Sequence, residues 1–285
     1  MTLVAQIAFN GLMSGLIYVL MALGFTLIFG IMRVVNFAHG EFYMLGGFVV
    51  YLLCRKLGWN YYGSVVVAAV GAGFVGAAIE RLLLRPFIGR ELNSMIMALA
   101  IAITLQAGAL ILFGPEESTV SRPVTGVLNV GLVRMPLDRV VVGGITLVIL
   151  VLFWLFLSFT RWGLAMRAVA QDADIAAVQG VRPNVIRPLA FGIGSLLAGC
   201  AGALMAPIYT IYPYMGELPM LKAFVVVILG GLGSIPGAIG GGLLLGLAES
   251  GFATVYNTTV ASMVGFAMVI VILLFRPSGL MGRTS

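Results

Sequence analysis

Charged side chains are scarce in this sequence. Asp, Glu, Lys and Arg make up 9% of its 285 residues, against about 25% in soluble domains. Seven stretches contain none of these four residue types for more than 20 residues at a time. They are Met1–Met32, Leu57–Ile79, Leu92–Pro115, Val140–Thr160, Pro188–Gly216, Ala223–Ala248 and Ser250–Phe275. So much uncharged length excludes a soluble fold.

Chemically reactive residues are also few. The sequence has one histidine, and its two cysteines, Cys54 and Cys200, lie far apart in apolar context, so we predict no disulfide and no metal site. Paired carboxylates are missing from the apolar stretches, and we therefore predict no catalytic residues. No Gly-x-x-x-x-Gly-Lys-Ser/Thr phosphate loop occurs, so we expect no ATP or other cofactor on this chain.

The apolar stretches are typical of transmembrane helices. A hydrocarbon core about 30 Å thick is spanned by roughly 20 helical residues. Backbone groups in lipid must be hydrogen-bonded internally, and the sequence lacks the alternation of an outer-membrane barrel. We therefore predict an all-α, polytopic transmembrane bundle of eight to ten helical segments, with two related halves in a single domain over residues 1–285.

The basic residues indicate the orientation, because cytoplasmic loops are enriched in Lys and Arg. Arg81–Glu91, Arg161–Arg187 and the tail after Phe275 are basic, and we expect them to face the cytoplasm. Gly114–Arg139 and Ile211–Pro219 then lie outside. The cations bracket membrane spans rather than forming a stripe, so nucleic acid is not an expected partner, whereas lipid is. Arg55 and Lys56 fit this scheme less well.

Glycine is abundant and placed with a pattern. Gly11–Gly15 and Gly242–Gly246 have the small-xxx-small spacing that lets membrane helices approach closely. Another cluster is too dense in glycine and proline to sustain regular helix. It comprises Gly230, Gly231, Gly233, Pro236 and Gly237. We interpret it either as a broken helix that lines or hinges a translocation path, or as a tight turn between two helices.

Arg161–Arg187 is a long amphipathic segment between two apolar stretches. Leu164, Val169, Ile175 and Val178 form its apolar side, and Arg167, Gln171, Asp172 and Asp174 its polar side. Aspartate favours the start of a short helix, and Gly180 favours a C-terminal stop. We predict two short surface helices with the small Ala176 and Ala177 at the centre of a docking contact with a soluble partner. The alternative is a membrane-surface segment without a partner.

A few polar residues interrupt the apolar stretches. His39 and Glu41 lie in a break after the first helix, where we expect Asn36 to cap the next segment close to an interface. Glu249 stands alone between two uncharged stretches, and Lys222 is expected to extend to an interface. Ionisable groups at membrane depth are costly and usually functional, so Asn36, His39, Glu41 and Glu249 are candidate residues of a translocation path. The alternatives are that His39 and Glu41 only fix the turn and that Glu249 lies in a turn at an interface.

Several motifs resemble one known family. Arg167–Gly180 is similar to the cytoplasmic loop through which permeases of bacterial ABC importers couple to their ATPases. The resemblance extends over nearly the full length and is greatest to the permeases for branched-chain amino acids. The other motifs that carry it are Val35–Phe42, Ile79–Pro86, Leu105–Pro115 and Phe224–Gly241.

The resemblance implies a multi-pass permease subunit of the bacterial inner membrane. It implies a second related permease, two cytoplasmic ATPases that bind ATP and Mg²⁺, and a periplasmic substrate-binding protein as partners. Arg167, Asp172, Ala176, Ala177 and Gly180 would couple this chain to the ATPases. Branched-chain or other hydrophobic amino acids are the expected substrates. Urea, amide or aromatic-acid importers, and a secondary transporter driven by ion gradients, remain as alternatives.

Overall fold

The computed structural model describes residues 2–130, 133–276 and 278–282. Within these ranges it contains eleven α-helices and one antiparallel pair of strands. The helices are α1 (Thr2–Met32), α2 (His39–Tyr51), α3 (Tyr61–Ile79), α4 (Glu91–Phe113), α5 (Leu137–Phe159), α6 (Arg161–Gln171), α7 (Ala173–Val178), α8 (Pro183–Met205), α9 (Glu217–Gly230), α10 (Ile235–Val255) and α11 (Thr258–Phe275). The strands are β1 (Val127–Val130) and β2 (Val133–Pro136).

Among the described residues, seven helices are long and apolar enough to cross a membrane. They are Leu3–Met32, Tyr61–Phe87, Glu91–Phe113, Leu137–Phe159, Pro183–Met205, Ile235–Val255 and Thr258–Phe275. The predicted polytopic helical bundle is thereby confirmed, but the described residues form eleven α-helices rather than the predicted eight to ten segments, because the turn after Gly230 separates α9 from α10. α9, with 14 residues, is too short to span a core of about 30 Å at 1.5 Å per residue. α2 has 13 residues and continues directly as a π-helical turn over Leu52–Lys56.

The last two uncharged stretches do not coincide with the last two helices. Ala223–Ala248 is divided by a turn at 231–234, between α9 and α10. Glu249 lies inside α10, and the turn that precedes α11 comes later, at Tyr256–Asn257. Glycine and proline end a helix without any charge, and a charged residue can remain within a helix when it is paired. Charge alone therefore misplaces these boundaries.

The chain forms two compact units that interleave along the sequence. One contains the described parts of Met1–Thr26, Arg122–Leu147 and Leu221–Ser285, and the other contains Leu27–Ser121 and Val148–Met220. Neither unit is a continuous half of the chain. A single domain over residues 1–285, with two related halves, stays our prediction.

In the unit that contains Leu27–Ser121, α2, α3 and α8 form the core. α8 packs on both α2 and α3, and small residues let the backbones touch. A Cβ atom on Gly46 would overlap the backbone of Gly199, and one on Gly73 would lie 3.2 Å from the carbonyl oxygen of Gly192. Lipid tails are as apolar as leucine, so such close packing, rather than hydrophobic burial, holds membrane helices together.

In the other unit, the two glycine pairs predicted to promote packing contact each other. A Cβ atom on Gly246 would lie 2.5 Å from the carbonyl oxygen of Gly11 and 2.5 Å from Cα of Gly15. One on Gly15 would lie 3.1 Å from the carbonyl oxygen of Gly242. Residue numbers rise along α1 as they fall along α10, so the helices are antiparallel at this contact.

The loop between α4 and α5 is more ordered than the sequence predicts. β1 and β2 pair from Val127 opposite Pro136 to Val130 opposite Val133. The Gln6 side chain binds the hairpin with two hydrogen bonds: its amide nitrogen donates to Arg134 O (3.0 Å), and its oxygen accepts from Arg134 N (3.1 Å). The start of α1 therefore lies against this hairpin.

We expect Gly246→Leu to destabilise the protein, because the added side chain has no space at the α1–α10 contact. Overpacking of this kind costs about 1–3 kcal/mol. Thermal unfolding of the purified protein in detergent measures the change. The matched control is Gly144→Leu, since Gly144 is exposed and its Cβ position has no neighbour within 4 Å. Equal unfolding temperatures for the two variants would contradict the packing argument.

Candidate translocation and coupling sites

The segment Arg161–Arg187 folds as two short helices, α6 and α7, followed by the start of α8, as predicted. Thr160 caps α6, its hydroxyl accepting from Gly163 N at 3.0 Å. Asp172 caps α7, where its Oδ1 accepts from Asp174 N and Ile175 N, both at 2.9 Å. Gly180 follows α7 with φ +86°, a left-handed conformation that favours glycine. Each turn thus has a local cause in the sequence.

The exposed surface of α7 differs from the expected docking contact. Ala176 is 4% exposed and packs within this chain, so it is not available to a partner. Ala177 is exposed, and beside it Ile175 and Val178 are 64% and 87% exposed. The amphipathic pattern places Ile175 and Val178 on the apolar side of the segment but does not identify them as docking residues. An apolar side chain that the protein itself leaves uncovered is the signal that identifies them.

Two arginines fix the ends of α6. Arg167 donates to Ser158 O at 3.2 Å, near the end of α5, which gives the residue a structural role within the segment. Arg33, just after α1, donates to Gln171 O at 3.3 Å. Arg33 has φ +53°, which is rare for a residue with a side chain. The end of α1 therefore lies beside the end of α6.

The break between α1 and α2 is buried within the protein, and its expected position close to a membrane interface stays a prediction. His39 is fully buried and Glu41 is 3% exposed. Asn36 Oδ1 accepts from Ala38 N at 3.1 Å and so stabilises the turn before α2, but the N-cap of α2 is Ala38, without a side-chain capping hydrogen bond, so Asn36 does not cap the helix as expected. The break is covered because neighbouring helices enclose it, which the sequence order does not reveal.

Gln106 of α4 bridges two glutamates. Its Nε2 lies 3.0 Å from Glu41 Oε1 and 3.4 Å from Glu217 Oε1. Each glutamate follows a glycine at the start of a short helix, and a Cβ atom on Gly40 would lie 2.5 Å from Gly216 O. The starts of α2 and α9 therefore meet. The recurring Gly-Glu pair is the sequence signal for this arrangement, and our predictions from the sequence did not include it.

The glycine-rich segment after α9 is a tight turn. Gly231 and Gly233 have φ +102° and +79°, and Ser234 caps α10 by accepting from Gly237 N at 3.1 Å. Pro236 lies in the first turn of α10, where its missing N–H costs nothing. A Cβ atom on Gly230 would overlap the backbone of Gly237, so the two helix ends are in direct contact.

The C-terminal segment completes this turn. Leu280 N donates to Leu229 O at 2.8 Å, and Met281 N donates to Gly230 O at 3.0 Å. These are carbonyl groups that the end of α9 leaves without a partner in its own helix. Of the two interpretations of the glycine cluster, the structure favours a turn between two helices, held by backbone contacts on both sides.

Glu249 forms an ion pair with Lys222. Lys222 Nζ lies 2.8 Å from Glu249 Oε2 and 2.7 Å from the hydroxyl of Tyr18, which donates to the same Oε2 at 2.7 Å. The expectation that Lys222 extends to an interface is wrong, since its amino group points to α10. Glu249 is 8% exposed and lies in the helix, not in a turn.

Helix geometry explains how Tyr18 reaches Glu249. Tyr18 follows Gly15 by three residues, and Glu249 follows Gly246 by three. Helical side chains tilt toward the N-terminus of their own helix, so both lean back to the level of the glycine contact. The close approach of α1 and α10 thus brings the two side chains together, and Lys222 of α9 joins them.

A bundle of spanning helices with buried charged residues and a two-helix surface segment is the architecture of a membrane transport subunit. A family model described as "Branched-chain amino acid transport system / permease component" matches residues 7–273. The chain belongs to this family, which confirms the resemblance inferred from its motifs.

Individual relatives agree with this assignment. The high-affinity branched-chain amino acid transport system permease protein LivH of Escherichia coli is 33% identical over 98% of this chain and 95% of its own length. BraD of Pseudomonas aeruginosa, of the same description, is 36% identical over 96% of this chain and 94% of its own length. LivM of Escherichia coli, also a permease protein of that description, is 26% identical over 94% of this chain and 68% of its own length.

We expect Glu249→Gln to lower stability, because it leaves the Lys222 ammonium without a counter-charge. Breaking a buried pair costs several kcal/mol, and about 1–3 kcal/mol is expected here since Lys222 is partly exposed. Thermal unfolding measures the loss. Glu116→Gln, in an exposed loop, is the control. The double variant Lys222→Met/Glu249→Leu removes both charges and should recover most of the loss. No recovery would show that the pair is not the cause.

Proposed function

We propose that this chain is the membrane-spanning permease subunit of an ATP-driven importer in the bacterial inner membrane. Its substrates are branched-chain or other hydrophobic amino acids. The observation that carries the proposal is the pair of capped helices α6 and α7 between two spanning helices, in a chain of the branched-chain amino acid permease family. LivH and BraD, which carry that substrate in their descriptions, support the substrate class.

The proposed partners supply the functions for which this chain has no sequence motif. Two cytoplasmic ATPases bind ATP and Mg²⁺, and a periplasmic binding protein delivers the substrate. A second, related permease completes the membrane part. The support for this last partner is that LivH and LivM of Escherichia coli are both described as permease proteins of a high-affinity branched-chain amino acid transport system.

The coupling surface consists of the exposed edge of α7. Ile175, Ala177 and Val178 enter a groove on the ATPase, and Asp172 and Gly180 hold α7 at the required angle through its cap and its left-handed end. The bond from Arg33 to Gln171 transmits movement of α6 to the end of α1. ATP-driven closure of the ATPase pair thus moves a segment that is attached to spanning helices.

The translocation path contains the polar groups at membrane depth. Gln106, Glu41 and Glu217 belong to it, because they join the starts of α2 and α9 inside the protein. Asn36 and His39 support the same break. Within the other unit, Glu249 with its partner Lys222, and the turn formed by Gly230, Gly231, Gly233, Pro236 and Gly237, stay predicted transport residues.

The proposed function predicts that the chain does not transport alone. Proteoliposomes holding the purified chain should show no leucine uptake above empty vesicles. Proteoliposomes holding the complete complex, with ATP on the cytoplasmic side and binding protein on the other, should. Excess valine should compete and excess urea should not. Uptake by the chain alone, driven by an ion gradient, would overturn the importer assignment.

The coupling surface is tested by a matched pair of variants. Ala177→Arg adds bulk on the exposed edge of α7, so the ATPases should be released while thermal unfolding of the membrane bundle is unchanged. Ala176→Arg places the same side chain in a buried position and should instead lower the unfolding temperature. Co-purification of the ATPases and substrate-stimulated ATP hydrolysis are the measurements. If both remain normal in Ala177→Arg, α7 is not the coupling surface.

A further inference from the structure

A cavity of about 550 Å³ lies between the start of α6 and the segment that leads into α8. Arg161 and Arg182 line it from these two elements, together with the apolar Trp162, Ala165, Val185 and Ile186. Gly180, which ends α7, also lines the cavity and is the one lining residue that the proposed coupling surface uses. The function described so far gives the two arginines of the cavity no role.

The cavity is positively charged. None of the described residues that line it is acidic, and two of them are arginines, Arg161 and Arg182. α6 begins at Arg161 and α8 begins at Pro183, so the positive ends of two helices are directed to the same place. Arg182, the N-cap of α8, makes no side-chain capping hydrogen bond. The cavity favours an anion.

The position of the cavity identifies the source of that anion. α5 ends at Phe159, two residues before Arg161, and α8 enters its membrane span just after Arg182. Phe159 is 75% exposed and Trp162 is 51% exposed. Tryptophan is typical of the membrane interface, and basic pockets between spanning helices bind anionic headgroups at the cytoplasmic surface.

We propose that this cavity binds the headgroup of an anionic phospholipid. The phosphate lies between Arg161 and Arg182, and the glycerol and upper acyl chain lie along Trp162 and Val185. This inference depends on the proposed cytoplasmic location of Arg161–Arg187 but not on the substrate. A bound lipid joins α6 to α8 and thereby steadies the segment that contacts the ATPases, so ATP hydrolysis should depend on anionic lipid.

The test uses the complete purified complex. Native mass spectrometry measures phosphatidylglycerol retained by the complex after detergent extraction. ATP hydrolysis is compared in nanodiscs of phosphatidylcholine alone and in nanodiscs of equal parts phosphatidylcholine and phosphatidylglycerol. Arg161→Gln/Arg182→Gln should weaken phosphatidylglycerol binding about thirtyfold, because each arginine near an anionic surface contributes about a fivefold gain in affinity. The same variant should lose the stimulation of hydrolysis by phosphatidylglycerol.

Two controls make the result specific. Arg90→Gln/Arg276→Gln removes two exposed arginines that do not line the cavity, and it should keep both binding and stimulation. Arg161→Lys/Arg182→Lys keeps the charge and should retain most binding, which guards against a fold defect in the glutamine variant.

Three outcomes would overturn the proposal. They are unchanged lipid retention in the glutamine variant, an equal loss in the control variant, and release of the ATPases with lipid retention intact. The last would assign the cavity to the ATPase interface. Lipid binding is measured without transport, so failure of leucine uptake would count against the proposed function and not against this site.

Discussion

Contact between backbones at glycine is the constraint on which helix packing in each unit depends. Lipid gives apolar helices no reason to prefer one another, so they must approach closely to gain from van der Waals contact. Gly46 meets Gly199 in one unit, and Gly15 meets Gly246 in the other. The polar groups depend on these contacts. Tyr18 reaches Glu249 only because α1 and α10 touch, and Glu41 lies near Glu217 only because Gly40 and Gly216 touch.

The polar groups in turn offset the free-energy cost of burying the starts of α2 and α9. α2 and α9 leave helix starts within the protein, where unpaired N–H groups would be costly. A glutamate in the first turn of each helix compensates its positive end, and Gln106 joins the two carboxylates. The same two glutamates and Gln106 supply hydrogen-bonding groups inside the protein, which the proposed translocation path requires.

Features that depend on local sequence could be predicted. The absence of charge located most spanning helices, the spacing of Gly11 and Gly15 predicted their packing role, and the composition around Asp172 and Gly180 predicted the ends of α7. Features that depend on distant residues could not. Lys222 and Glu249 are 27 residues apart, and Tyr18 is 231 residues from Glu249. No sequence periodicity or motif connects these three positions. The burial of Ala176 beside the exposed Ala177 likewise follows from tertiary packing, since the two residues are chemically identical.

The pairing of Lys222 with Glu249 has a consequence for how the protein enters the membrane. α9 has 14 residues and carries a cation, and α10, although long and apolar enough to cross a membrane, carries an anion in its second half. Joined by their tight turn, the two form a helical hairpin whose opposite charges neutralise each other. Insertion of α9 and α10 together, as one hairpin, therefore costs less free energy than insertion of either helix with its charge unpaired.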